Sequence, residues 1–63
     1  MNRLFDQGLK IEIARNMRKH GGGFVVALSS LILHADYQNL EKIEKTFKKY
    51  IDEYMPGMWP PLY

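Results

Sequence analysis

The chain has no cysteine, so disulfides are excluded. Only two histidines occur, His20 and His34, and histidine without cysteine does not build a structural zinc site. Charge of one sign is also scarce. Nine cations face seven anions, which leaves a net charge of +2, far from the basic excess or stripe of a general nucleic-acid binder. No apolar run approaches the roughly 20 residues needed to span a bilayer. The longest, Phe24 to Ala35, is interrupted by Ser29, Ser30 and His34. Met1 to Lys10 holds charges and no sustained apolar run, so no targeting segment is expected and a cytoplasmic protein is.

What is present is apolar: 46% of the 63 residues are hydrophobic, too many for a disordered chain. The length allows one domain, 1–63. A core of this size rarely supplies more than roughly 3–5 kcal/mol. With disulfide and metal absent and no cofactor expected, oligomerisation is the remaining staple.

Hydrophobic spacing predicts an all-α fold of about three helices, roughly 2–20, 24–35 and 37–55, with an extended Pro-rich tail over 56–63. In the first segment Leu4, Phe5, Leu9, Ile13, Ala14 and Met17 recur at three- and four-residue steps. Asp6 offers an alternative start as an N-cap, leaving 1–5 as an arm. The alternation Leu9-Lys10-Ile11-Glu12-Ile13 also reads as a short strand, but the helix formers from Ala14 to Lys19 favour helix. The second segment is apolar on every side, the signature of a helix buried all round, by two neighbours or by a second subunit. The third has Asp36 at its N-cap position and Leu40, Ile43, Phe47, Tyr50 or Ile51, and Tyr54 along one stripe. Glu41 with Lys45 and Glu44 with Lys48 are favourable i,i+4 pairs. Pro56-Gly57 ends it. The tail residues Trp59, Leu62 and Tyr63 are expected to pack on the body or on a partner.

Gly21-Gly22-Gly23 separates the first two segments. One glycine serves as a helix stop through a left-handed backbone, with Arg18, Lys19 and His20 complementing the helix dipole in the last turn. The other two permit either close helix packing or an anion site, because glycines at a helix start leave backbone N–H groups free. Arg15, Arg18 and Lys19 stand ready to close over a phosphate. No Walker lysine follows and no strand precedes the run, so neither nucleotide fingerprint is met.

Catalysis is not expected. Ser30 and His34 share a helix face, yet nothing nearby supplies an oxyanion hole, and a chain this short has little room for an enclosed pocket of about 300 Å³. The lysines of segment three, Lys42, Lys45, Lys48 and Lys49, alternate with Glu41, Glu44, Asp52 and Glu53, which reads as a solvated face rather than a DNA-reading one.

Gly21-Gly22-Gly23-Phe24-Val25-Val26-Ala27-Leu28 and His34-Ala35-Asp36-Tyr37-Gln38-Asn39-Leu40, continuing to Phe47, Tyr50 and Tyr54, together form a pattern over about residues 20–54. It resembles a group of very short proteins encoded by bacteriophages and other mobile elements. The tail from Met58 departs from that pattern. The resemblance implies a genomic setting rather than a mechanism: a non-enzymatic accessory protein in the cytoplasm of a host cell, acting by binding. One form is counter-defence, in which a homo-oligomer sequesters a nucleotide signal between subunits. Arg15, Arg18, Lys19, Gly22 and Gly23 would meet its phosphates, and Tyr50 or Tyr54 would stack on its base. A DNA-binding regulator and a structural or host-protein-binding partner are the alternatives.

Overall fold

The structure is a computed structural model that describes residues 2–57. It is all-helical over those residues. A 3-10 turn, Arg3–Phe5, leads into α1 (Gln7–His20), α2 (Gly23–His34), α3 (Tyr37–Thr46) and α4 (Lys48–Glu53). The expected fold class holds, with four helices where three were expected. The tail from Met58 to Tyr63 lies outside the described residues.

The first expected helix divides at Asp6. Its carboxylate accepts the Leu9 N–H at 3.0 Å and caps α1. A helix start needs such an acceptor, because its first N–H groups have no intrahelical partner. The residues before it are not a loose arm. Asn2 accepts the Leu4 N–H at 2.7 Å and donates to the Leu40 carbonyl at 3.3 Å, which seats the turn on α3 and buries Leu4. Phe5, placed in the core stripe by spacing, instead faces outward, its ring centroid 5.1 Å from that of Tyr37 in a T-shaped arrangement. The strand reading of Leu9 to Ile13 is overturned, since those residues lie inside α1.

The third expected helix bends at Phe47, whose ψ of 32° leaves the helical region. The hydrogen bonds continue across the bend, from Phe47 N–H to Ile43 and from Ile51 N–H to the Phe47 carbonyl. The bend turns Ile51 and Tyr54 into the core, and Tyr50 out of it. No glycine or proline marks it in the sequence.

The core is one cluster of Leu4, Ile13, Met17, Val25, Leu28, Ile32, Leu40, Ile43, Ile51 and Tyr54. α1 and α2 form its largest pairing. Ser29 is fully buried within it and donates to the Val26 carbonyl at 2.6 Å, so its hydroxyl is satisfied inside its own helix. Asn16 donates to the Tyr54 carbonyl at 3.0 Å and ties α1 to the end of α4.

Charge closes the opposite side. Arg3 donates from Nε and Nη2 to one oxygen of Glu44, at 3.0 and 2.9 Å, and from Nη1 to Asp52. Lys48 reaches the other oxygen of Asp52 at 3.4 Å. The expected i,i+4 pairs are thus displaced. Glu44 belongs to Arg3, Lys48 to Asp52, and among the described residues Glu41 and Lys45 form no ion pair.

α2 departs most from expectation. Only Val25, Leu28, Ser29 and Ile32 are buried. Phe24 and Leu31 are each 57% exposed, and Leu33 and Ala27 also face water. A helix apolar all round is here covered on one side only.

Candidate functional site

Arg15, Arg18 and Lys19 stand on one flank of α1. With Ile11, Ala14 and the α2 residue Leu33 they line an open groove of about 450 Å³. The helix period explains the grouping. Ile11, Ala14, Arg15 and Arg18 follow three- and four-residue steps, so they share a face. That face adjoins Leu33 because α1 and α2 pack side by side. The groove has a hydrophobic floor and a cationic wall. Among the described residues none of the three cations makes an ion pair or a hydrogen bond. Glu12 is the nearest acid in sequence; it faces the neighbouring hollow of about 170 Å³ beside Arg15, Asn16, Pro56 and Gly57.

The volume lies within the roughly 300–1,000 Å³ of small-ligand sites. It sits on the surface rather than in a closed cavity, since Ile11, Arg15, Arg18, Lys19 and Leu33 are all exposed. Such a site can hold an anion with an apolar body. It holds no paired nucleophile and base.

The other expected site residues lie elsewhere. Gly22 is the N-cap of α2 and offers no side-chain acceptor, so the N–H groups of the first turn are uncapped there. Neither Gly22 nor Gly23 lines the groove, and a Cβ on either would meet nothing within 4 Å. Gly21 differs. A Cβ there would collide with the Val25 side chain and stand 2.6 Å from the Met17 carbonyl oxygen. Its backbone is extended, with φ −90° and ψ 162°, so the left-handed stop is corrected. Gly21 is required by close packing at the α1–α2 turn.

Tyr50 lies across α2 from the groove, with its ring 5.3 Å from Phe24 and 6.2 Å from Phe47. Tyr54 is buried in the core, where burial first, then the charges of Glu53 and Tyr50, push its hydroxyl above the ordinary tyrosine range. One chain therefore brings Arg15, Arg18 and Lys19 together and leaves Gly22, Gly23, Tyr50 and Tyr54 outside their groove. Sequence reasoning missed the apolar floor. Ile11 and Ala14 share the face of Arg15 and Arg18 by spacing, a readable signal, whereas Leu33 joins only through the α1–α2 packing.

His34 turns to the backbone of Ser30. His34 Nδ1 lies 2.8 Å from the Ser30 backbone carbonyl. Among the described residues no group of three histidine, aspartate or glutamate side chains is placed to hold a metal, and no helix is long and apolar enough to cross a membrane. Asp36 accepts the Asn39 N–H at 2.9 Å and caps α3.

No protein-family model, no curated protein and no solved structure matches the chain.

Proposed function

We propose that the protein is a non-enzymatic accessory protein of a phage or mobile element that acts by binding, and that its ligand is a phosphorylated small molecule of the nucleotide class. The supporting observation is the groove that sets Arg15, Arg18 and Lys19 against the floor of Ile11, Ala14 and Leu33. Arginine forks suit phosphate oxygens. An apolar floor suits the face of a base. The genomic setting comes from the resemblance, and counter-defence by sequestering a nucleotide signal is the form it favours. The protein works in this reading as a homo-oligomer in the host cytoplasm, with the glycine N–H groups reaching the ligand from a second copy.

The test is a thermal-shift titration against linear and cyclic nucleotides, with inorganic phosphate and sulfate as controls. A ligand that binds only the folded chain raises the midpoint with its concentration over Kd. One nucleotide should stabilise strongly where plain anions do not. Arg15→Ala with Arg18→Ala should abolish the shift and leave the unliganded midpoint within a degree or two, because both side chains are exposed. No shift with any nucleotide removes the reading.

A protein partner is the second reading, favoured by the exposed apolar side of α2. DNA binding finds less support. Lys48 is engaged by Asp52, and the other lysines of α3 and α4 share their surface with Glu41 and Glu53.

A further inference from the structure

We infer that the exposed face of α2 is a homodimer interface, in which two copies of α2 cross antiparallel about a two-fold axis beside Leu28 and Ser29. The observation is an uncovered apolar helix face with a self-matching order. Gly23, Ala27, Ser30 and His34 are all exposed and follow one another at steps of four, three and four. At that spacing they form one ridge along the outside of α2. The ridge is small where it is central. Phe24 and Leu31 stand along one side of it, and Val26 and Leu33 along the other.

The steps of four, three and four read the same from both ends. An antiparallel two-fold sets Gly23 opposite the second copy's His34. The small residues Ala27 and Ser30 then lie at the crossing. Phe24 meets the second copy's Leu31 on one side, and Val26 meets the second copy's Leu33 on the other. Each side thus carries one residue from each end of the helix, which is what a symmetric contact requires. Small residues at the crossing allow close axes, and large ones beside them fill the space.

Charge and area favour a second copy over an unrelated partner. No charged residue occurs from Gly21 to Leu33, so nothing on the ridge selects a charged surface. Antiparallel helices also set the positive end of one dipole beside the negative end of the other. Phe24 and Leu31 at 57% exposed and Tyr50 at 37% leave on the order of 300 Å² of large side chain in water. Leu33, 36% exposed, and the ridge enlarge the face further, toward the roughly 600 Å² per partner at which stable interfaces begin. The inference also accounts for Gly23, which nothing inside one chain requires: no atom lies within 4 Å of its missing Cβ, and its φ is not positive.

The crossing rests on the oligomeric part of the reading above and deepens it. The grooves of both copies fall on the Val26 and Leu33 side of the pair. There the second copy's Gly22 and Gly23, with the uncapped first turn of α2, come beside Leu33 at the apolar end of the groove. The site is then completed between copies.

Sedimentation equilibrium of the full chain, without nucleotide, tests the interface apart from its ligand. Two-copy mass is expected, with Leu31→Glu and Ala27→Glu each weakening association at least tenfold while the helical circular dichroism stays unchanged. The absence of cysteine allows single-cysteine variants to read the crossing. About 1.5 Å of rise per residue puts two Ser30 positions roughly 5 Å apart along the axis and two His34 positions roughly 16 Å apart. Ser30→Cys should therefore cross-link on oxidation within the reach of a disulfide, and His34→Cys should not. A monomer at millimolar concentration, a dimer indifferent to Leu31→Glu, or equal cross-linking at both positions would overturn the inference. A dimer that binds no nucleotide removes the ligand reading alone. A monomer that binds one removes the interface alone.

Discussion

α2 and its neighbours solve the same problem differently. α1 and α3 each begin on an aspartate that accepts an N–H of the first turn, bury one stripe and turn charge outward. α2 begins on a glycine with no side-chain acceptor, and no charge stands between Gly21 and Leu33. Its inner face is as well buried as any in the chain, with Leu28, Ser29 and Ile32 at 2% exposure or less. Its outer face leaves Phe24 and Leu31 in water. The lesson is that hydrophobicity alone does not say which side of a helix holds the fold together. Burial of one face is what stabilises this chain, and the outer face remains available for other work.

The sharpest way to break that comparison is to remove equal bulk from both faces. Ile32→Ala empties a fully buried site and should cost about 2–5 kcal/mol, the range for large-to-small changes in a core. That is comparable with the whole stability expected of so small a domain, roughly 3–5 kcal/mol. Urea denaturation should find the variant largely unfolded at room temperature. Leu31→Ala, its neighbour in sequence, should move the stability of the folded monomer by no more than about 0.5 kcal/mol. Similar losses at both positions would mean that the two faces are not distinct.

The three glycines sharpen the same contrast. Gly21→Ala drives a methyl group into Val25 and the Met17 carbonyl, and should destabilise by about 1–3 kcal/mol, as overpacking does. Gly22→Ala and Gly23→Ala meet open space within one chain and should leave the stability of the folded monomer unchanged or slightly higher. Combining Gly21→Ala with Val25→Ala should cost less than the sum of the two single losses, because the clash with the Val25 side chain is then gone. Strict additivity would place the cost on the Met17 carbonyl.

Capping gives a smaller effect. Asp36→Ala should cost about 1 kcal/mol by releasing the Asn39 N–H. Gly22→Asp at the start of α2 should gain a few tenths of a kcal/mol, since glycine is already a tolerable cap. Thermal melts of the two variants would show whether α2 is a helix that has simply not been given a cap.

Much of this was readable in the sequence, for reasons tied to particular residues. Asp36 announced α3, and Asp6 was a sufficient reason for α1 to start late, because both carry the acceptor that a first turn lacks. Ile13, Met17 and Leu40 fell where a helical period buries them. The bend at Phe47 was hidden, since no breaker stands there and the hydrogen bonds run through it. The half-exposure of α2 was hidden too, because a window of apolar residues records what a helix would bury and not whether a neighbour exists to bury it. For the site, Arg15, Arg18 and Lys19 were read only as cations beside the glycine run, and the three- and four-residue steps that set them on one wall were there to be read. The placement of Tyr50 and Tyr54 depended on the bend, and Leu33 depended on α1–α2 packing, neither of which is local.

The smallest effect concerns the charge that α2 lacks and its neighbours use. Arg3 holds the N-terminal turn to α3 and α4 through Glu44 and Asp52. The hydrogen bond from Arg3, against some desolvation and with help from Lys48, holds the Asp52 carboxyl below the usual carboxylate range. Burial works against the Arg3 charge, and the hydrogen bonds to Asp52 and Glu44 outweigh it, so the guanidinium stays ionised. A depressed acid stabilises the fold fully above its unfolded value, near 3.9 for aspartate, and the contribution is lost as pH falls through the lower folded value. Comparing melts of the parent and Asp52→Asn from pH 7 to pH 2 isolates this contribution. The parent should be slightly the more stable above about pH 5, and the gap should close in acid. Salt should narrow it at neutral pH as well, because Asp52 is exposed and its pairing is screened. Ile32→Val, a milder loss on an uncharged face, should show neither dependence. A gap that persists at pH 2 would mean that Asp52 stabilises the chain through packing rather than through Arg3.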